Sequence, residues 1–336
     1  MPFLTAALNP LARPLACPLA RLQAALPLTA AALLTSTAAL LAGPAQAADI
    51  LFIGNSFTYG AGSAARTWRA DTVTDLNHQG IGGMPALFKA FTQQAGLRHE
   101  VYLETQGGSG LDWHLDNKLG VLGQRPWDVV VMHGFSTLDA KQPGNPATLI
   151  ATARQMADFL RSRNANVDVR LLATWPRADQ VYPATGAWAG KTVEAMGTDL
   201  RAGYAQAAAG SPSIKGVLPV GDAWLRAMAT GVADSNPYDG IAPGQINLWT
   251  TDHYHASAYG YYLEALVVFG GLTGRDPRSL GDTECAAFEL GFSVPQVAAL
   301  QQVAFDQLVA SGLAVTANPL KPAKPGAAMA CPKTLR

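Results

Sequence analysis

Apolar positions along this chain follow two rhythms. Short apolar runs with few polar interruptions occupy residues 49–53, 100–104, 127–132, 167–173 and 215–220. They are expected to be strands, and the run over 127–132 suits one buried on both faces of a parallel sheet. Between and after them, apolar residues recur every three or four positions. This spacing predicts helices over 85–94, 146–163, 193–209, 258–269 and 294–313. In 146–163, for example, Leu149, Ala153, Met156 and Leu160 share one side. Strands alternating with helices imply right-handed crossovers. The expected fold class is therefore α/β: a three-layer α/β/α sandwich with a mostly parallel, doubly wound sheet. In such a sheet ligands gather at the carboxyl ends of the strands. No internal repeat interrupts the pattern.

The first 47 residues do not belong to it. Arg13 and Arg21 are basic, residues 22–41 form an uncharged Ala/Leu/Thr run, and Ala45-Gln46-Ala47 offers the small-x-small pattern of a cleavage site. Pro27 breaks the run and Gly43-Pro44 ends it without stop-transfer charges. Residues 1–47 are therefore expected to be a removed signal peptide, and the chain periplasmic or extracellular. No other stretch is apolar for long enough to span a bilayer, so stable membrane insertion is not expected. The 289 residues that remain suit one large domain over 48–315, followed by a Pro- and Lys-rich tail over 316–336. They carry 22 basic and 24 acidic side chains, a formal charge of −2. That balance leaves no basic footprint for nucleic acid. Of the three cysteines, Cys17 would leave with the signal; Cys285 and Cys331 would remain in an oxidising compartment, where a disulfide between them is expected.

Three features carry candidate chemistry. Ser56, in Gly54-Asn55-Ser56, stands at the exit of the first strand. Taken alone, a serine in such a turn is most often a helix cap. Asp252-His253-Tyr254-His255 precedes the 258–269 helix. A hydroxyl nucleophile needs a base such as histidine, and the histidine needs a carboxylate to fix its tautomer. Asp252 and His255, three residues apart, can meet within one turn; alternatively Asp252 only caps the following helix. His253-x-His255 with its carboxylate could also ligate a metal, although no obvious partner cluster occurs and the nearest candidates are the isolated His78, His114 and His133. The third feature is 105–110, Thr-Gln-Gly-Gly-Ser-Gly, after the second predicted strand. It could expose backbone N–H groups to an oxyanion, or be a plain turn.

Together, in this order, these features resemble the SGNH (GDSL-like) hydrolase superfamily over roughly residues 48–274. The resemblance implies an SGNH/flavodoxin-like fold and a serine esterase working through an acyl-enzyme without a cofactor or metal, which the signal peptide would make an exported one. It implies Ser56 as nucleophile, His255 as base and Asp252 as its acid partner. The oxyanion hole would take the N–H groups of Ser56 and Gly110. The superfamily's third block, Gly-x-Asn-Asp, is altered: after the 127–132 strand the chain reads His133-Gly134-Phe135-Ser136, with Ser136 in place of the asparagine. Ser136, His133 or a neighbouring loop could supply that donor. No Gly-x-Ser-x-Gly occurs, which sets the chain apart from α/β-hydrolases. Asn55, Trp113, His133, Phe135, Trp175 and Trp249 are expected to line a substrate cleft, for a small-molecule or polymeric ester whose class the sequence does not select. Oligomeric state is not legible. The rival expectation is a non-catalytic envelope protein that binds glycan through a degenerate hydrolase site.

Overall fold

The computed structural model describes residues 47–282, 284–316 and 331. The expected signal peptide falls outside them except for Ala47, as does the tail except for Thr316 and Cys331. Six strands form one sheet: β1 (Asp49–Gly54), β2 (Thr74–Asp75), β3 (Glu100–Thr105), β4 (Val129–Met132), β5 (Asp168–Leu172) and β6 (Ile214–Leu218). Their order is β2-β3-β1-β4-β5-β6, and every pairing is parallel. β1 sits between β3 and β4 with Ile53 opposite Glu104 on one side and Met132 on the other. The chain therefore leaves β1 toward one flank of the sheet and later returns to build the other. The carboxyl end of β1 is the switch point where doubly wound sheets open a crevice.

Alternate residues of β1 feed two cores. Ile50 and Phe52 pack with helices Gly83–Gln94, Val220–Ala229, Ala258–Thr273 and Val294–Ala310. Leu51 and Ile53 pack on the opposite face with helices Ala147–Arg163 and Val193–Ala209. This is the period-two alternation of a strand covered on both faces. Helix Ala258–Thr273 is buried continuously from Gly260 to Gly270. A helix apolar on all sides belongs inside a molecule, and this one lies under helices Gly83–Gln94 and Val294–Ala310. Among the described residues no helix is long and apolar enough to cross a membrane.

The five strands read from the apolar runs are all present, with ends displaced by at most two residues. β2, helix Leu111–Asn117 and helix Val220–Ala229 add to that reading. Cys285 and Cys331 are disulfide-bonded with their Cα atoms 4.6 Å apart. Arg69, paired with Glu289 at 2.5 Å, also donates to the Cys331 carbonyl at 2.9 Å. Both hold this part of the tail on the body.

Candidate active site

Gly54 ends β1, and the chain turns at once into the short helix Ser56–Tyr59. Only glycine fits at 54: a Cβ there would lie 2.3 Å from Thr58 Oγ1 and 2.4 Å from His133 Nε2. The cap of the short helix is Asn55, whose Oδ1 accepts the Phe57 N–H at 3.0 Å. Ser56 is thus released from the capping role that a serine in a turn usually fills. The Asn55 amide donates to Ser109 O at 2.8 Å and to Gly134 O at 3.3 Å. One buried side chain thereby ties together the loops that follow β1, β3 and β4. Tyr261 reaches in from helix Ala258–Thr273 and donates its hydroxyl to Ser56 O at 2.9 Å.

The loop before that helix builds the second half of the site. Its cap is Ser257, which accepts the Gly260 N–H, so Asp252 is released from capping in its turn. Asp252 Oδ2 lies 2.7 Å from His255 Nδ1. Oδ1 accepts the Thr250 hydroxyl at 2.6 Å and the backbone N–H groups of Tyr254 and His255, both at 2.9 Å. Partial burial pushes the Asp252 carboxyl up. The Thr250 hydroxyl, the His255 ring and the two N–H groups outweigh it and hold the group well below the usual carboxylate range. An ionised carboxylate only accepts, so Nδ1 carries the imidazole proton and Nε2 keeps its lone pair. The Phe57 ring lies 6.0 Å from the His255 ring, next to Ser56 in sequence. Among the described residues, neither Ser56 Oγ nor His255 Nε2 is engaged by another polar group or sealed from solvent. No hydrogen bond joins the two, and catalytic hydrogen bonds of this kind commonly tighten only in the Michaelis complex.

Gly110 caps helix Leu111–Asn117 at the end of the glycine loop. A Cβ at Gly110 would fall 2.4 Å from the Phe135 ring, so the loops after β3 and β4 touch here. The N–H groups of Ser56 and Gly110 have no acceptor among the described residues. Ser136 is buried, and its Oγ accepts from Arg177 Nη1 at 3.1 Å.

The expected cleft residues divide. Trp113 and Phe135 are half-buried at the loops after β3 and β4. Trp175 and Trp249 are 0% and 1% exposed and do not line a cleft. Trp175 stacks on Phe57 and on Trp224 with centroids 3.9 and 4.8 Å away. The two indoles also staple loops together, donating to Tyr254 O at 3.2 Å and to Pro176 O at 3.1 Å. His133 is buried too: its Nδ1–H donates to Gly134 O at 2.9 Å and its Nε2 accepts from Thr58 at 2.8 Å. With both nitrogens committed it has no proton to offer an oxyanion, a correction to its expected availability. Asn55 is structural in the same sense. His253 turns away from His255 with φ 56 and packs on Tyr238, ring centroids 4.3 Å apart. No group of three or more His, Cys, Asp or Glu side chains fit to hold a metal occurs among the described residues.

A second histidine–carboxylate pair, not anticipated above, lies nearby. His114 Nδ1 contacts Glu104 Oε2 in the interior, while its Nε2 donates to Gly54 O at 3.0 Å and lies 3.2 Å from Ser109 Oγ. Burial pushes Glu104 up, but His114, Asn77 and Lys118 together hold it below its ordinary value. The pair braces the turn before Ser56 against the glycine loop. Its only signal was a polar strand end ten residues ahead of a histidine.

No protein-family model matches the sequence, and no curated protein does. Solved structures match it. A DUF4886 family protein from Bacteroides uniformis aligns with 81% of this chain and 98% of its own, at TM-score 0.55 and 17% identity. A putative SGNH hydrolase from Slackia heliotrinireducens aligns over 68% and 100%, at TM-score 0.46 and 22% identity. A family 3 carbohydrate esterase from Clostridium thermocellum aligns over 67% and 94%, at TM-score 0.44 and 15% identity. The chain thus shares its α/β fold with the DUF4886 family protein, and SGNH hydrolases and esterases stand among its structural neighbours.

Proposed function

We propose that the chain is an exported serine hydrolase of SGNH type, cleaving carboxylic esters through an acyl-enzyme. The observation that carries this reading is the Asp252–His255 contact of 2.7 Å, with the carboxylate held ionised. It fixes the proton on Nδ1 and leaves Nε2 as a base at the edge of the sheet that also presents Ser56. His255 Nε2 takes the Ser56 proton as Oγ bonds to the ester carbonyl carbon. The carbonyl π electrons move to oxygen, and the N–H groups of Ser56 and Gly110 receive that charge. Collapse of the adduct breaks the bond to the alcohol, which leaves with the proton from His255. Water then repeats the sequence on the acyl-enzyme, releasing the acid and restoring Ser56. Asp252 orients the imidazole and stabilises its charged form.

Ser56→Ala removes the nucleophile while leaving the Asn55 cap in place. Its kcat for a short-chain nitrophenyl ester is expected to fall at least 10³-fold, with an unchanged thermal midpoint. Wild-type rates in the purified variant would refute the assignment.

A further inference from the structure

The resemblance to SGNH hydrolases implies an asparagine after β4, and this chain has Ser136 there. Several other polar side chains at this edge are already committed. Both hydrogens of the Asn55 amide go to carbonyls, Thr58 donates to His133, and Ser109 donates to Gln106 O at 2.8 Å. Ser136 differs. Its one side-chain partner among the described residues is the guanidinium of Arg177. A guanidinium only donates, so Ser136 Oγ is the acceptor and its own proton remains for a further bond.

Arg177 is itself fixed from several sides. Its Nε and Nη2 grip Asp179 in a fork, at 2.9 and 2.6 Å, which sets the plane of the group. The Tyr254 ring lies 3.4 Å beneath Cζ. Asp179 N–H donates to His253 O at 3.1 Å, so the loop after β5 is docked on the loop that carries Asp252 and His255. Only Nη1 is left over, and it meets Ser136. The Arg177 side chain therefore links the donor position after β4 to the histidine loop through one rigid plane.

We propose that Arg177 is a positioning residue that makes Ser136 the third oxyanion donor: by occupying a lone pair of Oγ it turns and polarises the hydroxyl proton toward the nucleophile. The inference rests on the ester-hydrolase reading. A serine and a distant arginine together replace one asparagine amide, and the Arg177–Asp179 pair contributes orientation without adding net charge to the site.

The test uses the purified full chain, a short-chain nitrophenyl ester and a serine-directed phosphonate. Ser136→Ala should lower kcat by roughly 10²–10³-fold with little change in KM. Arg177→Met should lower kcat roughly tenfold or more in wild type, yet add little to Ser136→Ala, because both remove the same donor. Ser136→Asn brings its own N–H, so in that background Arg177→Met should cost much less than in wild type. Arg177→Lys, which keeps a cation but cannot grip Asp179 and Ser136 at once, should lower kcat at an unchanged thermal midpoint. Equal losses from Arg177→Met with and without Ser136 would overturn the inference, as would full kcat in Ser136→Ala. Those outcomes leave the hydrolase reading intact wherever the phosphonate still labels Ser56. A wild-type chain that neither turns over the ester nor takes the label at Ser56 overturns both.

Discussion

His114, His133 and His255 lie near the carboxyl end of β1 and use their ring nitrogens in three ways. His255 keeps one proton on Nδ1 for Asp252 and leaves Nε2 open. His133 is neutral, with Nδ1–H on Gly134 O and Nε2 accepting from Thr58. His114 lies against the Glu104 carboxylate and donates to the Gly54 carbonyl. Burial holds His133 down to about 4. An unfolded histidine takes its proton near pH 6.5, so between about 6.5 and 4 the unfolded state binds a proton that the folded state refuses. The stability this group supports is complete above pH 6.5 and is lost as pH falls toward 4, by at most about 1.4 kcal/mol per unit. Urea denaturation across this range, with the His133 ring followed by NMR, checks the expectation; a ring that titrates near 6.5 in the folded protein contradicts it. The spacing Asp-x-x-His was legible because both partners sit in one turn. Glu104 and His114 were not, because a strand end and a glycine loop bring them together. Arg177 was silent for the same reason: its partners Ser136 and Tyr254 are remote in sequence.

Among the elements, buried strands were the easiest to read, since β1 and β4 are covered on both faces and carry apolar residues almost throughout. β2, two residues at the sheet edge, is too short and polar to show a period. Helix Val220–Ala229 was hidden because Val220 continues the apolar run of β6, with only Pro219 between. Trp175 and Trp249 were misplaced for a related reason. They sit where strands give way to site loops, but the loops after β5 and before helix Ala258–Thr273 fold over them and use both indole N–H groups as ties. The loops after β3 and β4 meet at Gly110 and Phe135. In Gly110→Ala the new methyl must displace the Phe135 ring, moving an N–H assigned to the oxyanion. A kcat lower by roughly 10²-fold, with a stability loss of about 1–3 kcal/mol, is expected. Steady-state kinetics beside urea denaturation separate the two effects; unchanged kcat would exclude Gly110 from the oxyanion site.

Across the whole molecule, sheet class followed from the alternation of strands and helices, whereas strand order, and with it the switch point, did not, because a parallel crossover can return on either side. The helix most deeply packed between the sheet and the outer layer also carries a cost. Glu264 is wholly buried, and neither carboxyl oxygen has a hydrogen-bond partner among the described residues. Burial pushes the group well above its ordinary value, so the folded chain keeps a proton that the unfolded chain releases above about pH 4.3. Stability from this group is therefore present at low pH and is lost as pH rises toward the folded value. Glu264→Met is expected to be more stable than wild type at pH 8 and to lose that margin toward pH 5, measured by urea denaturation; parallel profiles would contradict this. The central claim is that these layers converge on one activated serine. Its most direct measurement is intact-mass and peptide mapping after treatment with a serine-directed phosphonate. A single adduct at Ser56, formed by the folded chain and suppressed in His255→Ala, is the predicted result; a folded chain that takes no adduct, or takes it at another residue, contradicts the account.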